Sequence, residues 1–134
     1  MFYITYNRPH HIETSVLDSI IAFACYYLDL DADLEVQFES LPEFHYGLCD
    51  YEEDEIAITI SDLLSVEDTV RTIFHELVHV KQYVDGRLES GSPQRWLGEE
   101  YTCEYERLPW EVEAFEHEQN MVDIYSESIY YHNR

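Results

Sequence analysis

His75, Glu76 and His79 form an HExxH pattern. A four-residue step on a helix puts both imidazoles on one face, one turn apart, which is the spacing two zinc ligands need. Glu76 neighbours the first imidazole without serving as a ligand; it is suited to take a proton from an attacking water and pass it to a leaving amine. Two histidines leave a tetrahedral zinc two ligands short, and a catalytic site takes one more protein ligand and water. The downstream candidates are Glu111 and Glu113. Residues two apart on a helix point in nearly opposed directions, so only one of the pair reaches a single Zn2+ ion. Glu111 shares its face with Ala114, whose small side chain lets two helices approach closely, and is favoured; Glu113, on the side of Trp110 and His117, is the alternative. Gln82, three residues after His79, borders the same face and can orient a ligand or substrate.

These side chains need a helix, and the sequence signals one from Ser65 to Gly86. Ser65 with Asp68 reads as a capping box, and Gly86 stands where a left-handed residue ends the helix. Val70, Ile73, Phe74, Leu77 and Val80 make the surroundings of the motif apolar, so its polar groups require partners there. The last helix begins near Pro109, with Glu111, Ala114, Phe115, Glu118, Val122, Tyr125 and Ile129 as its most apolar stripe, widened by Trp110, Met121 and Ile124.

Upstream, FYITY near the N-terminus reads as a short strand, followed by a loop with His10 and His11. Ser15 and Asp18 suggest a second capping box, opening a helix whose face is Val16, Leu17, Ile20, Ile21, Ala24 and Leu28. The alternating stretches LEVQF and EIAITIS, with FHYGLCDY between them, supply three more strands. A strand beside the metal could offer a free edge on which an extended peptide lies. Arg87 to Leu108 is long for a structureless connection, and its Trp96, Tyr101 and Tyr105 are candidates to line a cleft. Either tyrosine could donate to a developing oxyanion.

At 134 residues the chain is expected to form one domain, 1–134. A net charge of -22 argues against a nucleic-acid backbone or an anionic membrane as partner and favours neutral or basic polypeptides. No run is long enough to span a membrane, and three cysteines without metal spacing make the cytoplasm the expected compartment. The same acidity supports a different class of function, a decoy filling the basic groove of a nucleic-acid-binding protein. In a third reading the metal is purely structural, its fourth position closed by His117 or a cysteine.

The strings HELVHVKQY and LPWEVEAF resemble small zincin-like zinc metallopeptidase domains of bacterial and phage origin, of the gluzincin type with HExxH and a downstream glutamate. The resemblance implies an α+β fold: a small three- or four-stranded sheet packed on an N-terminal helix and the HExxH helix, with a C-terminal helix supplying the third ligand. It implies His75 and His79 as ligands and Glu76 as general base. The ExEA form is similar to zinc peptidases in which the first glutamate, here Glu111, is the ligand; another branch sets the ligand directly before the alanine, which would select Glu113. Phe115 stands where such peptidases often carry an aspartate, so the resemblance assigns no supporting carboxylate.

Overall fold

Alternation in LEVQF and EIAITIS produces two central strands with one apolar face, and the helical stripes cover that face. The computed structural model describes residues 2–53 and 55–132, the last four of these by backbone alone. In chain order the elements are β1 (Tyr3–Tyr6), α1 (Thr14–Leu28), β2 (Leu34–Glu39), β3 (Gly47–Glu52), β4 (Glu55–Ser61) and α2 (Val66–Val84). Three two-residue strands follow, β5 (Leu88–Glu89), β6 (Arg95–Trp96) and β7 (Glu99–Glu100). A 3-10 turn at Tyr105–Arg107 then leads into α3 (Pro109–His132).

The main sheet is four-stranded in the order β1-β2-β4-β3, and β5, β6 and β7 form a separate small sheet. β1, β2 and β4 run parallel, whereas β3 is antiparallel to β4, with Cys49 opposite Ile58 and Gly47 opposite Ile60. Val36, Phe38, Ile58 and Ile60 project from the sheet onto Leu17, Ile20, Ile21 and Ala24 of α1 and Ile73, Phe74, Leu77 and Val80 of α2, and all are buried. Each such large side chain contributes about 1.5–3 kcal/mol by leaving water. This is the small α+β fold expected, with α2 and α3 packed together through the fully buried Ala114.

The helix ends depart from expectation in one case. Ser65 caps α2, its hydroxyl accepting from the Asp68 N–H at 3.1 Å, and Gly86 follows the helix at φ 74°. Ser15, however, does not cap α1: Glu13 holds that position without a side-chain hydrogen bond, and Asp18 instead accepts from the Tyr3 hydroxyl, tying α1 to β1. The stripe on α3 is also shifted. Trp110, Glu111, Ala114, Glu118, Met121 and Tyr125 are buried, while Phe115 is 44% exposed and Val122 only half-buried. Ile129 lies outside the residues whose side chains are described. Phe115 and Val122 flank the buried line, which follows Glu111, Ala114, Glu118, Met121 and Tyr125 at three- and four-residue steps.

Candidate metal centre and cleft

The polar face of α2 meets the first two turns of α3. His75, His79 and Glu111 are all buried, and one ligand atom of each lies within 4.8 Å of the others. Glu111 Oε1 is 2.9 Å from His75 Nε2 and 3.1 Å from His79 Nε2. Among the described residues no other His, Cys, Asp or Glu joins this group. His117 is turned to the Tyr27 hydroxyl, and Cys49 lines the adjoining cavity without completing the cluster.

The other ring nitrogens reveal the purpose of this convergence. His75 Nδ1 donates to Glu118 Oε1 at 3.0 Å, and Glu118 Oε2 in turn accepts from Arg71 at 3.0 Å. His79 Nδ1 donates to Gln82 Oε1 at 2.8 Å. The amide of Gln82 is fixed in that sense because its Nε2 donates to the Trp110 carbonyl at 3.0 Å. With one proton held on each Nδ1, both Nε2 atoms face the Glu111 carboxylate. Their convergence is balanced either by protons on Nε2 or by a metal cation, and two imidazoles with one carboxylate are a catalytic zinc donor set. The residues therefore fit the metal. The same electrostatics appears in the titration of the side chains. Burial would lower His75, but its hydrogen bonds to Glu111 and Glu118 outweigh that and raise it to about 9. Burial would raise Glu111, yet hydrogen bonds from His75 and His79 bring it down to about 2.

Glu113 points elsewhere. Arg87 Nη1 donates to both of its oxygens at 2.8 and 2.7 Å, and Gln82 Nε2 reaches it at 3.3 Å. Glu111, the glutamate favoured by the helical-face argument, is thus the one that joins the two histidines. Glu118 takes the supporting position that the aspartate-for-phenylalanine departure had left unassigned. Its signal was present in the sequence, since it lies two helical turns beyond Glu111 on the same face.

Glu76 is buried beside the cluster and lines two cavities that meet over it. Burial chiefly raises its carboxyl to about 7, against the lowering influence of His79 and His75. One cavity, about 200 Å³, extends past His79 toward Tyr83, Leu88 and Gln94; the other, about 640 Å³, extends past His75 toward Phe44 and Phe115. β3 crosses above at Gly47, where an added Cβ would stand 3.1 Å from Glu76 Oε2 and 2.7 Å from Thr72 Cγ2.

β3 is the edge of its sheet, as a peptide-binding strand requires. The Tyr46 carbonyl accepts from the Ser61 N–H on the sheet side, whereas the Tyr51 carbonyl accepts from the Ser90 hydroxyl across the outer edge. By strand alternation Gly47 and Cys49 also turn their backbone groups outward, next to Glu76. Of the aromatic residues between α2 and α3, Tyr105 lines both cavities. Trp96 and Tyr101 do not; they pack around Trp110, Trp96 being buried with it. His11 is bonded to the Leu64 carbonyl at 2.8 Å, far from the cluster.

Fold and site together define a gluzincin-type HExxH zinc site, with Glu111 on α3 as third ligand, suited to a hydrolytic enzyme. A scan against protein-family models and searches of curated proteins and of solved structures each gave no match. Among the described residues no helix is long and apolar enough to cross a membrane.

Proposed function

We propose that the protein is a zinc-dependent metallopeptidase that hydrolyses peptide bonds in neutral or basic polypeptides. The observation that carries this reading is the placement of Glu76: outside the three-ligand cluster, adjacent to it, and beneath the outward-facing backbone of an edge strand. His75, His79 and Glu111 would hold the ion. When bound, zinc supplies Lewis-acid polarisation of a carbonyl and lowers the pKa of water. An extended substrate pairs with Gly47 and Cys49, which fixes its carbonyl over Glu76. Glu76, raised toward neutrality by burial, accepts the proton of the attacking water and delivers it to the leaving amine. Tyr105 is the side chain to donate a hydrogen bond to the developing oxyanion. Burial and the neighbouring Glu111 and Glu76 carboxylates push its hydroxyl pKa up, so it stays a donor.

The net charge of -22 supports the choice of neutral or basic substrates, since acidic polypeptides would be repelled, and it speaks against nucleic acid as a partner. A charge decoy has no use for converging Nε2 and Oε1 atoms, each braced from behind. The test is hydrolysis of a mixed peptide library by zinc-loaded protein, with Glu76→Gln as control. Cleavage lost in Glu76→Gln while that variant still binds one zinc supports the reading; a wild-type protein that binds zinc and cleaves nothing overturns it.

A further inference from the structure

The four-stranded sheet carries its helices on one face. Val36, Phe38, Ile58 and Ile60 turn toward α1 and α2, and the residues between them turn the other way. Three of the four strands run parallel, and sheets built on parallel strands usually have both faces packed. Here one end of the second face is left to solvent. The register sets Ile4, Glu35, Ala57 and Asp50 in a row across β1, β2, β4 and β3, with Glu52 opposite Glu55 at the end of the β3–β4 pair. This row lies in a basin of about 660 Å³. Phe2 and Ile4 bring large apolar side chains to it, 65% and 44% exposed.

The carboxylates of the basin have no counter-charge. Glu35, Asp50, Glu52, Glu53 and Glu55 line it, and among the described residues no lysine, arginine or histidine pairs with any of them. The reason lies in the sequence. Between Arg8 and Arg71 the chain has no lysine or arginine, so no strand of the main sheet carries one. Glu52 and Glu55 moreover face each other directly, and like charges so placed destabilise a sheet. Exposed apolar surface and uncompensated carboxylates in one concave face are complementary to a chain segment that carries both cationic and apolar side chains.

We propose that this face of the sheet is a docking surface for a lysine- and arginine-rich segment of the polypeptide substrate. Apolar side chains of that segment cover Phe2, Ile4 and Ala57, and its cations lie among Glu35, Asp50, Glu52 and Glu55. The basin and the catalytic cavity are the two sides of one strand: Asp50 lines the basin, and Cys49 before it lines the cavity with Glu76 and His79. A polypeptide that passes round the edge of β3 therefore contacts both, whichever way it runs along that edge. The basin selects a substrate class, basic polypeptides with interspersed apolar residues, away from the bond that is cut.

Calling the partner a substrate rests on the peptidase reading; the docking itself does not, and the two are tested separately. Zinc-loaded Glu76→Gln protein is titrated at low salt with a fluorescent, end-blocked dodecapeptide of lysines interspersed with leucines and glycines. Adding Glu35→Gln, Glu52→Gln and Glu55→Gln together removes three charges, which should weaken binding about tenfold. Relief of the Glu52–Glu55 repulsion keeps or raises thermal stability in that variant. The same number of neutralisations elsewhere, at the exposed Glu99, Glu116 and Glu127, should change affinity less than about twofold. Serine in place of the peptide's leucines should weaken binding at least about fivefold. Absence of binding, equal losses in the two triple variants, or indifference to the leucines overturns the docking surface. In the cleavage arm Glu76 is kept, and the ratio of kcat/KM for a long basic polypeptide to that for a four-residue peptide should fall at least about fivefold in the Glu35, Glu52 and Glu55 triple variant. An unchanged ratio overturns the role in substrate selection, whereas absence of all cleavage counts against the peptidase reading while the binding arm still decides the docking surface.

Discussion

Glu118 Oε1 lies 3.0 Å from His75 Nδ1, and the other oxygen of the same carboxylate lies 3.0 Å from Arg71. The first ligand is thus held by a three-part chain that fixes which nitrogen carries its proton and which way the ring faces. Partners of this kind raise ligand basicity, and their loss typically costs about 10–100-fold in metal affinity. Glu118→Ala should show that loss in a competition titration against a chromophoric chelator. Gln119→Ala, which removes the other Arg71 contact on the same helix, should leave affinity within about twofold. Equal effects of the two variants would mean that Arg71, not His75, is what Glu118 serves.

The two glutamates at the start of α3 should separate cleanly. Glu111→Gln removes a charged ligand atom and should abolish stoichiometric zinc binding at micromolar metal. Glu113→Gln should keep the zinc and lose stability instead. Burial alone would raise the Glu113 carboxyl, but the Arg87 hydrogen bonds and that of Gln82 leave it below the ordinary 4.5. A depressed carboxyl contributes stability that is present above its unfolded value and disappears as pH falls through its folded one. Urea titrations should therefore find Glu113→Gln about 1 kcal/mol less stable at pH 7, a difference shrinking toward pH 3.

How far the sequence reaches is visible in these residues. HExxH placed His75, Glu76 and His79, and helical phase chose Glu111 over Glu113, because both inferences depend only on periodicity within one helix. Glu118 falls in the expected stripe, but its role depends on how α3 packs across α2, whereas the likeness to other peptidases points one residue past the alanine. Ser15 with Asp18 had the spacing of a cap, yet a tertiary partner, Tyr3, took the aspartate. The Arg87–Leu108 segment folds its three two-residue strands around Trp96 and Trp110, a tertiary arrangement that such short strands do not announce by alternation. Phe44 could not be foreseen at all, since a positive φ at phenylalanine contradicts the turn preferences by which sequence is read.

The cysteines should differ sharply toward alkylating agents. Cys103 is exposed, whereas Cys25 is buried and burial pushes its thiol up to about 11. Cys49 is likewise raised well above the ordinary thiol value, first by burial and then by the Glu76, Asp50 and Glu111 carboxylates around it. Because only the thiolate reacts, iodoacetamide at pH 8 should modify Cys103 alone in the folded protein, with all three labelled in denaturant. Rapid labelling of Cys49 in the native state, mapped by mass spectrometry, would show that β3 opens away from α2.

Gly47 offers the sharpest test of how β3 and α2 make one site. Its φ is unremarkable, so alanine meets no backbone strain there; the constraint is space, because the added Cβ would lie 2.7 Å from Thr72 Cγ2 and 3.1 Å from both Cγ and Oε2 of Glu76. The first separation cannot be kept, so β3 must move outward or Glu76 must turn. Overpacking of this kind costs about 1–3 kcal/mol. Zinc affinity should be unchanged, since the three atoms nearest that Cβ position belong to Thr72 and Glu76 and none to His75, His79 or Glu111. The rate should fall by more than tenfold, because Glu76, the proposed general base, and the edge proposed to seat the peptide are displaced together. Thr72→Ser in the Gly47→Ala background removes the methyl in the closest clash and should restore part of the stability but not the rate, since the Glu76 contact remains. Recovery of both would place the whole defect in packing rather than in the alignment of Glu76 beneath the strand.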